Sequence, residues 1–384
     1  MARASVDATW QRGTALADAA RRAFWRPIVR LSIGRRAVVD RELRLALLAF
    51  AHGGVALTLA VVAPLWLLLL GPLLLGVPHV AGDLRYLVLE PRRPWRRAGL
   101  LGVGALLAAM TLHRGALALG WDPAGALGTS ALRLELLLGG LAVVAAGGYG
   151  AVGPARRRMG VVAAGVALTV ALWSFPMAGF IAFSHLHNAI GAGIWLAVAH
   201  DAPRGRARWA VAGCWLGAQV ALLAGVFDGI TAAVGGYWAP ASGMDFGALE
   251  LQLAPGLDAP WAGRGVQAFA FAQSVHYLVW TRLMPQQCDS RAAPSTFRAD
   301  VRRGRAVFGR WGFGLVALAA VGLPMLALVI GARARDGYLH AIAFHGWLEL
   351  AALSAWSVAA RPRRTTAGQP AAPDGAFSRA VRRR

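Results

Sequence analysis

The sequence predicts an all-α integral membrane protein, a polytopic bundle of about ten transmembrane helices with both termini cytoplasmic. Three observations carry that expectation. Of 384 residues, 57% are hydrophobic and 15% charged, against about 25% charged in soluble domains. Apolar runs long enough to span a bilayer recur along the chain, and arginine gathers in alternate loops. A mean hydropathy of +0.51 and 47 glycines fit the same class, since glycine is commoner in membrane helices than in soluble ones. This composition excludes a disordered chain, a secreted disulfide scaffold and a coiled coil.

Residues 1–44 are polar and arginine-rich and lack the apolar stretch and small-residue cleavage site of a signal peptide. Trp10, Phe24, Trp25 and Ile28 make this an amphipathic cytoplasmic segment lying on the membrane surface. Residues 45–360 form a single transmembrane domain. Apolar runs of about 20 residues place spans at 45–70, 72–90, 98–118, 131–153, 159–175, 177–199, 209–232, 263–284, 311–332 and 337–360. The first two meet at a turn at Gly71-Pro72, and the fifth and sixth at Ser174-Phe175-Pro176; either pair also reads as one broken helix. The stretch 233–262, with Tyr237, Trp238, Asp245, Glu250, Asp258 and Trp261, reads as a lid over the outer mouth. Residues 361–384 are an arginine-rich, disordered cytoplasmic tail.

The net charge of +22 comes from 40 basic residues, all of them arginine. With the N-terminus inside, 34 of the 40 fall on the inner side, five at outer loops or helix ends, and Arg85 alone within a span. That asymmetry obeys the positive-inside rule and gives no basic stripe for nucleic acid, so the expected contacts are membrane lipids, in a bacterial inner membrane. No oligomeric state is implied. Without lysine there is no retinal Schiff base, phosphate-loop lysine or lysine nucleophile. Cys214 and Cys288 have neither metal nor redox spacing. No internal repeat is evident, so an inverted-repeat transporter has no support.

Ionisable groups at membrane depth are costly and mark functional sites. His113 and His200 fall at span ends, where a solvated or interfacial place is expected, and His52 lies in the inner half of the first span. The other six, His79, His185, His187, His276, His340 and His345, lie on four spans that all run from outside to inside. At about 1.5 Å per residue, His79, His185, His187 and His345 lie roughly 10–15 Å deep. His276 is deeper and His340 shallower. Four helices can thus offer imidazoles to one point, and nitrogen-rich sites suit iron, copper or zinc.

Spacing refines the set. In GVPHVAGDLRYLVL, His79 and Asp83 share a helix face, so Asp83 can orient the imidazole or bind metal itself; Pro78 loosens the helix there, and Arg85 either pairs with a nearby acid or snorkels inward. In FSHLHNAIGAGIW, His185 and His187 lie about 200° apart around a helix, so only one faces a shared metal. His187 is preferred because Gly191 leaves room beside it, with Asn188 as a polar neighbour. In YLHAIAFHGWLEL, His345 and Glu349 repeat the imidazole-plus-carboxylate pattern. Around His276, Tyr277 and Trp280 line an apolar path to a metal, as for a hydrophobic ligand, or simply pack. Asp228 and Glu135 lie near outer helix ends, Glu135 with Arg133 at the interface and Asp228 facing a cavity or proton path.

The segment LLGVPHVAGDLRYLVL resembles the proline-histidine-glycine/acid signature of the Brp/Blh family, multi-span bacterial membrane proteins that cleave β-carotene with dioxygen at a histidine-bound iron. The resemblance covers about sixteen residues closely and otherwise the histidine-bearing helical plan. It implies that His79 is an iron ligand and Asp83 its supporting acid. The chain departs from the family at Val80, where a glycine is usual, and in AQSVHYL, which has one histidine where a pair is usual. The histidine boxes of membrane di-iron desaturases are absent.

The expectation is a membrane-embedded non-haem iron oxygenase acting on an apolar, isoprenoid or carotenoid-like substrate. His79, His187, His276 and His345 are its metal ligands, with His185 and His340 as further candidates. Asp83 and Glu349 are the catalytic acids, and Tyr277, Trp280 and Asn188 line the site. Two other readings use the same residues: a b-type haem electron-transfer protein with axial histidines, and a proton-coupled transporter with a His/Asp/Glu relay.

Overall fold

In hydrocarbon every backbone N–H and C=O must be paired within the chain, and the helix is the local solution. The computed structural model of the protein describes residues 2–90, 95–199, 206–234, 236–238, 244–289 and 293–359, and among them there is no strand. Six helices among the described residues are long and apolar enough to cross a membrane.

Two N-terminal helices, α1 (Ala2–Arg30) and α2 (Ser32–Val39), precede α3 (Arg41–Val62). There follow α4 (Pro64–Leu89), α5 (Arg97–Ala118), α6 (Ala131–Tyr149), α7 (Ala155–Ser174), α8 (Pro176–Ala199) and α9 (Arg206–Leu223). Beyond short helical turns at Pro123–Ala126, Asp228–Ala233 and Met284–Cys288, there follow α10 (Phe246–Leu253), α11 (Trp261–Leu278), α12 (Phe297–Ile330), α13 (Ala332–Ala341) and α14 (Phe344–Val358). Residues 361–384, the expected tail, lie outside the described residues, as does His200.

Three boundaries differ from the sequence reading. The turn between the first two spans is at Ala63, not at Gly71-Pro72: Ala63 leaves helical geometry (φ −146°, ψ 50°) and Pro64 opens α4. Proline suits the first helical position because its missing N–H has no partner there in any case. Pro72 is instead absorbed within α4 by a π-helical stretch, Gly71–Leu75. The last run of 337–360 is broken at residues 342–343, so His340 and His345 stand on different helices, α13 and α14. The run of 209–232 likewise ends as a helix at Leu223, with a separate short turn at Asp228–Ala233. The split at Phe175 falls where expected.

Helix α11 is the axis of the bundle. Nearly every residue from Ala262 to Leu278 is buried, the polar Gln267, Gln273, Ser274 and His276 included. Helices α3, α4, α8, α9 and α10 pack around it, while α14 lies between α6 and α8. Where helices meet in lipid, small residues permit close approach, and α6 uses Gly139, Gly140 and Gly147, all buried, against α7 and α14. The largest fully buried side chains, Trp280, Trp347 and Phe271, fill the centre. Helix α12 is peripheral. It kinks at Gly309 (φ 69°), and its second half exposes Leu315, Leu318, Val321 and Leu328. At its start, Asp18 of α1 accepts hydrogen bonds from the backbone N–H of Phe297 (2.6 Å) and Arg298 (3.3 Å), satisfying two of the donors every helix start leaves open.

Candidate metal centre

Four helices, α4, α8, α11 and α14, converge on one cluster of imidazoles. His79 and His345 have ring centroids 4.9 Å apart, His79 and His276 5.3 Å, His187 and His276 5.3 Å, His187 and His345 5.4 Å, and His276 and His345 5.9 Å. Nitrogen atoms of His79, His276 and His345 all lie within 4.8 Å of one another. His79 is fully buried and His276 is 1% exposed.

The local backbone explains how these side chains are aimed. The helical turns of α4 that carry His79 and Asp83, Gly76–Asp83, are bracketed by π-helical stretches, Gly71–Leu75 and Leu84–Leu89. A third, Val279–Leu283, follows His276 directly after α11. Such widened turns change which residues share a face and recur at functional sites. Besides Pro64 at its start, α4 has two prolines in its interior, at 72 and 78, which remove backbone N–H donors. The carbonyl freed by Pro72 is that of Leu68, and Arg335 of α13 donates to it from Nε at 2.8 Å.

Hydrogen bonds set two of the ring tautomers. His187 donates Nδ1–H to the Ser184 carbonyl at 2.9 Å, and His345 donates Nδ1–H to the Ile342 carbonyl at 2.7 Å. A carbonyl oxygen only accepts, so Nδ1 carries the proton and the Nε2 lone pair is left to bind, as in metal-ligating histidines. Neither ring nitrogen of His79 or His276 makes a hydrogen bond of acceptable geometry. Buried polar atoms without partners are rare and call for an explanation. A divalent cation among the imidazoles supplies one, and nitrogen donors suit iron, copper or zinc.

Asp83 and Glu349 are both fully buried one turn below their histidines. Glu349 Oε1 stands 3.4 Å from His276 Nε2. Tyr277 packs its ring on His79, centroids 4.7 Å apart. Gly191 brings α8 against α11: a Cβ there would lie 2.9 Å from His276 Nδ1 and 3.0 Å from Trp280 Nε1. Its missing side chain makes room for His276 and Trp280 rather than for its own helix's His187.

A cavity of about 500 Å³ leads to this cluster. Its mouth includes the exposed Asp245, Asp336 and His340, and its inner wall His187, His276 and His345. Phe180, Phe183, Phe269, Tyr277 and Leu339 provide apolar lining, and Asn188, Gln252 and Gln273 provide polar lining. Trp280 does not line it.

Two of the expected ligands are elsewhere. His185 points the other way around α8 and hydrogen-bonds through Nε2 to the Leu253 carbonyl at 2.9 Å. His340 is exposed at the cavity mouth, with Nδ1 on the Asp336 carbonyl at 2.8 Å. His113, expected at an interface, is buried and binds the Ala131 carbonyl at 3.1 Å. His52 bonds to Ser274. Asp228 does not line this cavity and pairs with Arg264 at 2.5 Å. Glu135 pairs with Arg114 at 2.5 Å, and both line the cavity. Arg85, of the two roles open to it, pairs with Glu90 at 2.8 Å.

Sequence reasoning missed Arg335, Arg114 and Tyr338. Arg335 falls in what reads as an outer loop, and only the proline one helix away signals a need for it. Tyr338 fills the space beside Gly76, a contact between α13 and α4 that no spacing rule reveals.

No family model, curated protein or solved structure matches the chain.

Proposed function

We propose that this chain is an integral membrane, histidine-ligated non-haem iron oxygenase of a bacterial inner membrane, crossing ten times with both termini cytoplasmic and acting on an apolar, isoprenoid or carotenoid-like substrate. The observation that carries the proposal is the convergence of His79, His187, His276 and His345, with unpartnered or carbonyl-fixed ring nitrogens, beside an aromatic-lined cavity whose wall includes the last three.

Ferrous iron held by these imidazoles would supply the coordination sites and electrons for dioxygen activation. The protein's part is positional. Phe180, Phe183, Phe269 and Leu339 hold an apolar chain and exclude water from the imidazoles. Tyr277 packs on His79 and Gly191 seats His276, so both rings are held in one orientation. Ser184 and Ile342 keep the protons of His187 and His345 on Nδ1. Asp83 and Glu349 stand buried one turn behind the imidazoles, where in their ionised forms they would balance the charge of a bound cation.

The haem reading fits less well. A macrocycle needs two facing histidines with an open slot between them, and here the ring pairs are flanked by the other imidazoles at 4.9–5.9 Å. The relay reading leaves the partnerless nitrogens without a ligand.

The test is aerobic incubation of the iron-loaded, detergent-purified chain with β-carotene, with chromatography for aldehyde products and an absorption spectrum. Dioxygen-dependent cleavage, absent in His79→Ala/His345→Ala, and no Soret band are expected. A Soret band, or full metal content in the double variant, would sink the proposal.

A further inference from the structure

Two carboxamides accompany the imidazoles in the cavity wall. Asn188 follows His187 on α8 and is 2% exposed, and Gln273 precedes His276 on α11 and is 7% exposed. Three residues apart, Gln273 and His276 share a helix face. Both carboxamide residues line the cavity, as do His187 and His276. Asn188 donates from Nδ2 to the Ser184 carbonyl at 3.2 Å. That carbonyl only accepts, so the contact fixes which end of the amide is which and leaves Oδ1 as its open group. Neither Asn188 Oδ1 nor Gln273 Oε1 accepts a hydrogen bond.

A buried acceptor left unmet is costly, and a ligand that brings a donor removes that cost. This requirement narrows the ligand. Dioxygen and a pure hydrocarbon have no O–H or N–H to offer. An anionic head is an acceptor only, and the two arginines of the wall already hold acids, Arg114 with Glu135 and Arg335 with Asp336. A cationic head would stand beside a bound metal ion of the same sign. An uncharged hydroxyl is the head group that remains. Phe180, Phe183, Phe269 and Leu339 give the same cavity an apolar surface for a hydrocarbon chain, and its volume of about 500 Å³ falls within the range of small-molecule sites.

We infer that the substrate is amphipathic, an isoprenoid alcohol whose hydroxyl donates to Asn188 Oδ1 while its chain lies along the aromatic wall. The inference rests on this cavity being the substrate site of the oxygenase proposed above. A hydroxyl accepts as well as donates, and the Gln273 amide, which can do either, completes the pair from α11. Asn188 and Gln273 are then specificity-determining residues. A site that receives an O–H rejects the analogue without one, because its own buried polar groups stay unpaired.

The test separates binding from turnover. The full-length, iron-loaded chain in detergent is kept anaerobic and equilibrated with radiolabelled geranylgeraniol, which is then displaced by the unlabelled alcohol or by its methyl ether. The ether keeps the chain and the oxygen and lacks only the O–H. The wild type is expected to bind the alcohol about ten-fold more tightly than the ether, the effect of one hydrogen bond to a buried acceptor, and Asn188→Leu to bind the two alike. Equal affinities in the wild type, or no displaceable binding at all, overturn the inference and leave the oxygenase to be judged by its iron content and dioxygen-dependent cleavage. A preference for the alcohol that survives in both Asn188→Leu and Gln273→Met overturns the assignment of these residues. The expected preference in a chain that cleaves nothing under dioxygen supports the alcohol site and overturns the oxygenase. Should the variants fail to fold, the wild-type ratio decides.

Discussion

The Arg335 guanidinium donates to the Leu68 carbonyl at 2.8 Å, the oxygen that Pro72, four residues on, cannot serve because it has no N–H. An irregular turn of one helix is thus completed by a side chain of another, as broken helices at membrane depth require. Arg335→Met should destabilise the protein by about 1–3 kcal/mol, the cost of a buried acceptor left unmet. In a Pro72→Ala background, where residue 72 regains its donor, the same change should cost less. Thermal melts of the four proteins in detergent check this, and equal costs in both backgrounds would refute the pairing.

The histidines of α8 divide by direction. His187→Ala should weaken iron binding, while His185→Ala and His340→Ala should leave the metal count at the wild-type value. His185→Ala loses its bond to Leu253 and its edge-on contact with Phe269, a change of about 1–2 kcal/mol in stability. Metal titration of the three variants separates them; loss of metal in His185→Ala would contradict the geometry.

Gly191→Leu places a side chain where His276 and Trp280 now sit. The ring of His276 must turn, and disturbing the groups that orient a ligand lowers metal affinity by about 10–100-fold. Gly193, with nothing within 4 Å of its virtual Cβ, is the control: Gly193→Leu should bind iron as the wild type does, as read by competition with a chelator.

Arg114 and Glu135 form an ion pair in the cavity wall. Removing one partner strands the other charge, whereas removing both does not. Glu135→Leu should therefore melt below Arg114→Met/Glu135→Leu, and a double variant no more stable than the single one would show that the pair is not coupled.

Much of the bundle was legible because period and composition are local properties. Apolar runs and their punctuation located the helices, and Phe175 ended one where the sequence placed it. The turn at Ala63 was not legible, since Pro64 and Pro72 offer equivalent chemical signals. Only the packing of α4 against α11 and α13 determines which proline starts a helix and which is absorbed by a π turn.

The same division runs through the site. The four-residue spacings of His79 with Asp83 and of His345 with Glu349 put each pair on one helix face, and the 200° separation of His185 and His187 made them alternatives; both follow from helix geometry alone. Which of the two enters the cluster, that His340 stays at the mouth, and that Arg335 serves α4 were decided by how α4, α8, α11, α13 and α14 pack. Helical periodicity determines the angle between neighbours on one helix but not the rotation of that helix against another, which is fixed by side-chain contacts between segments far apart in the chain.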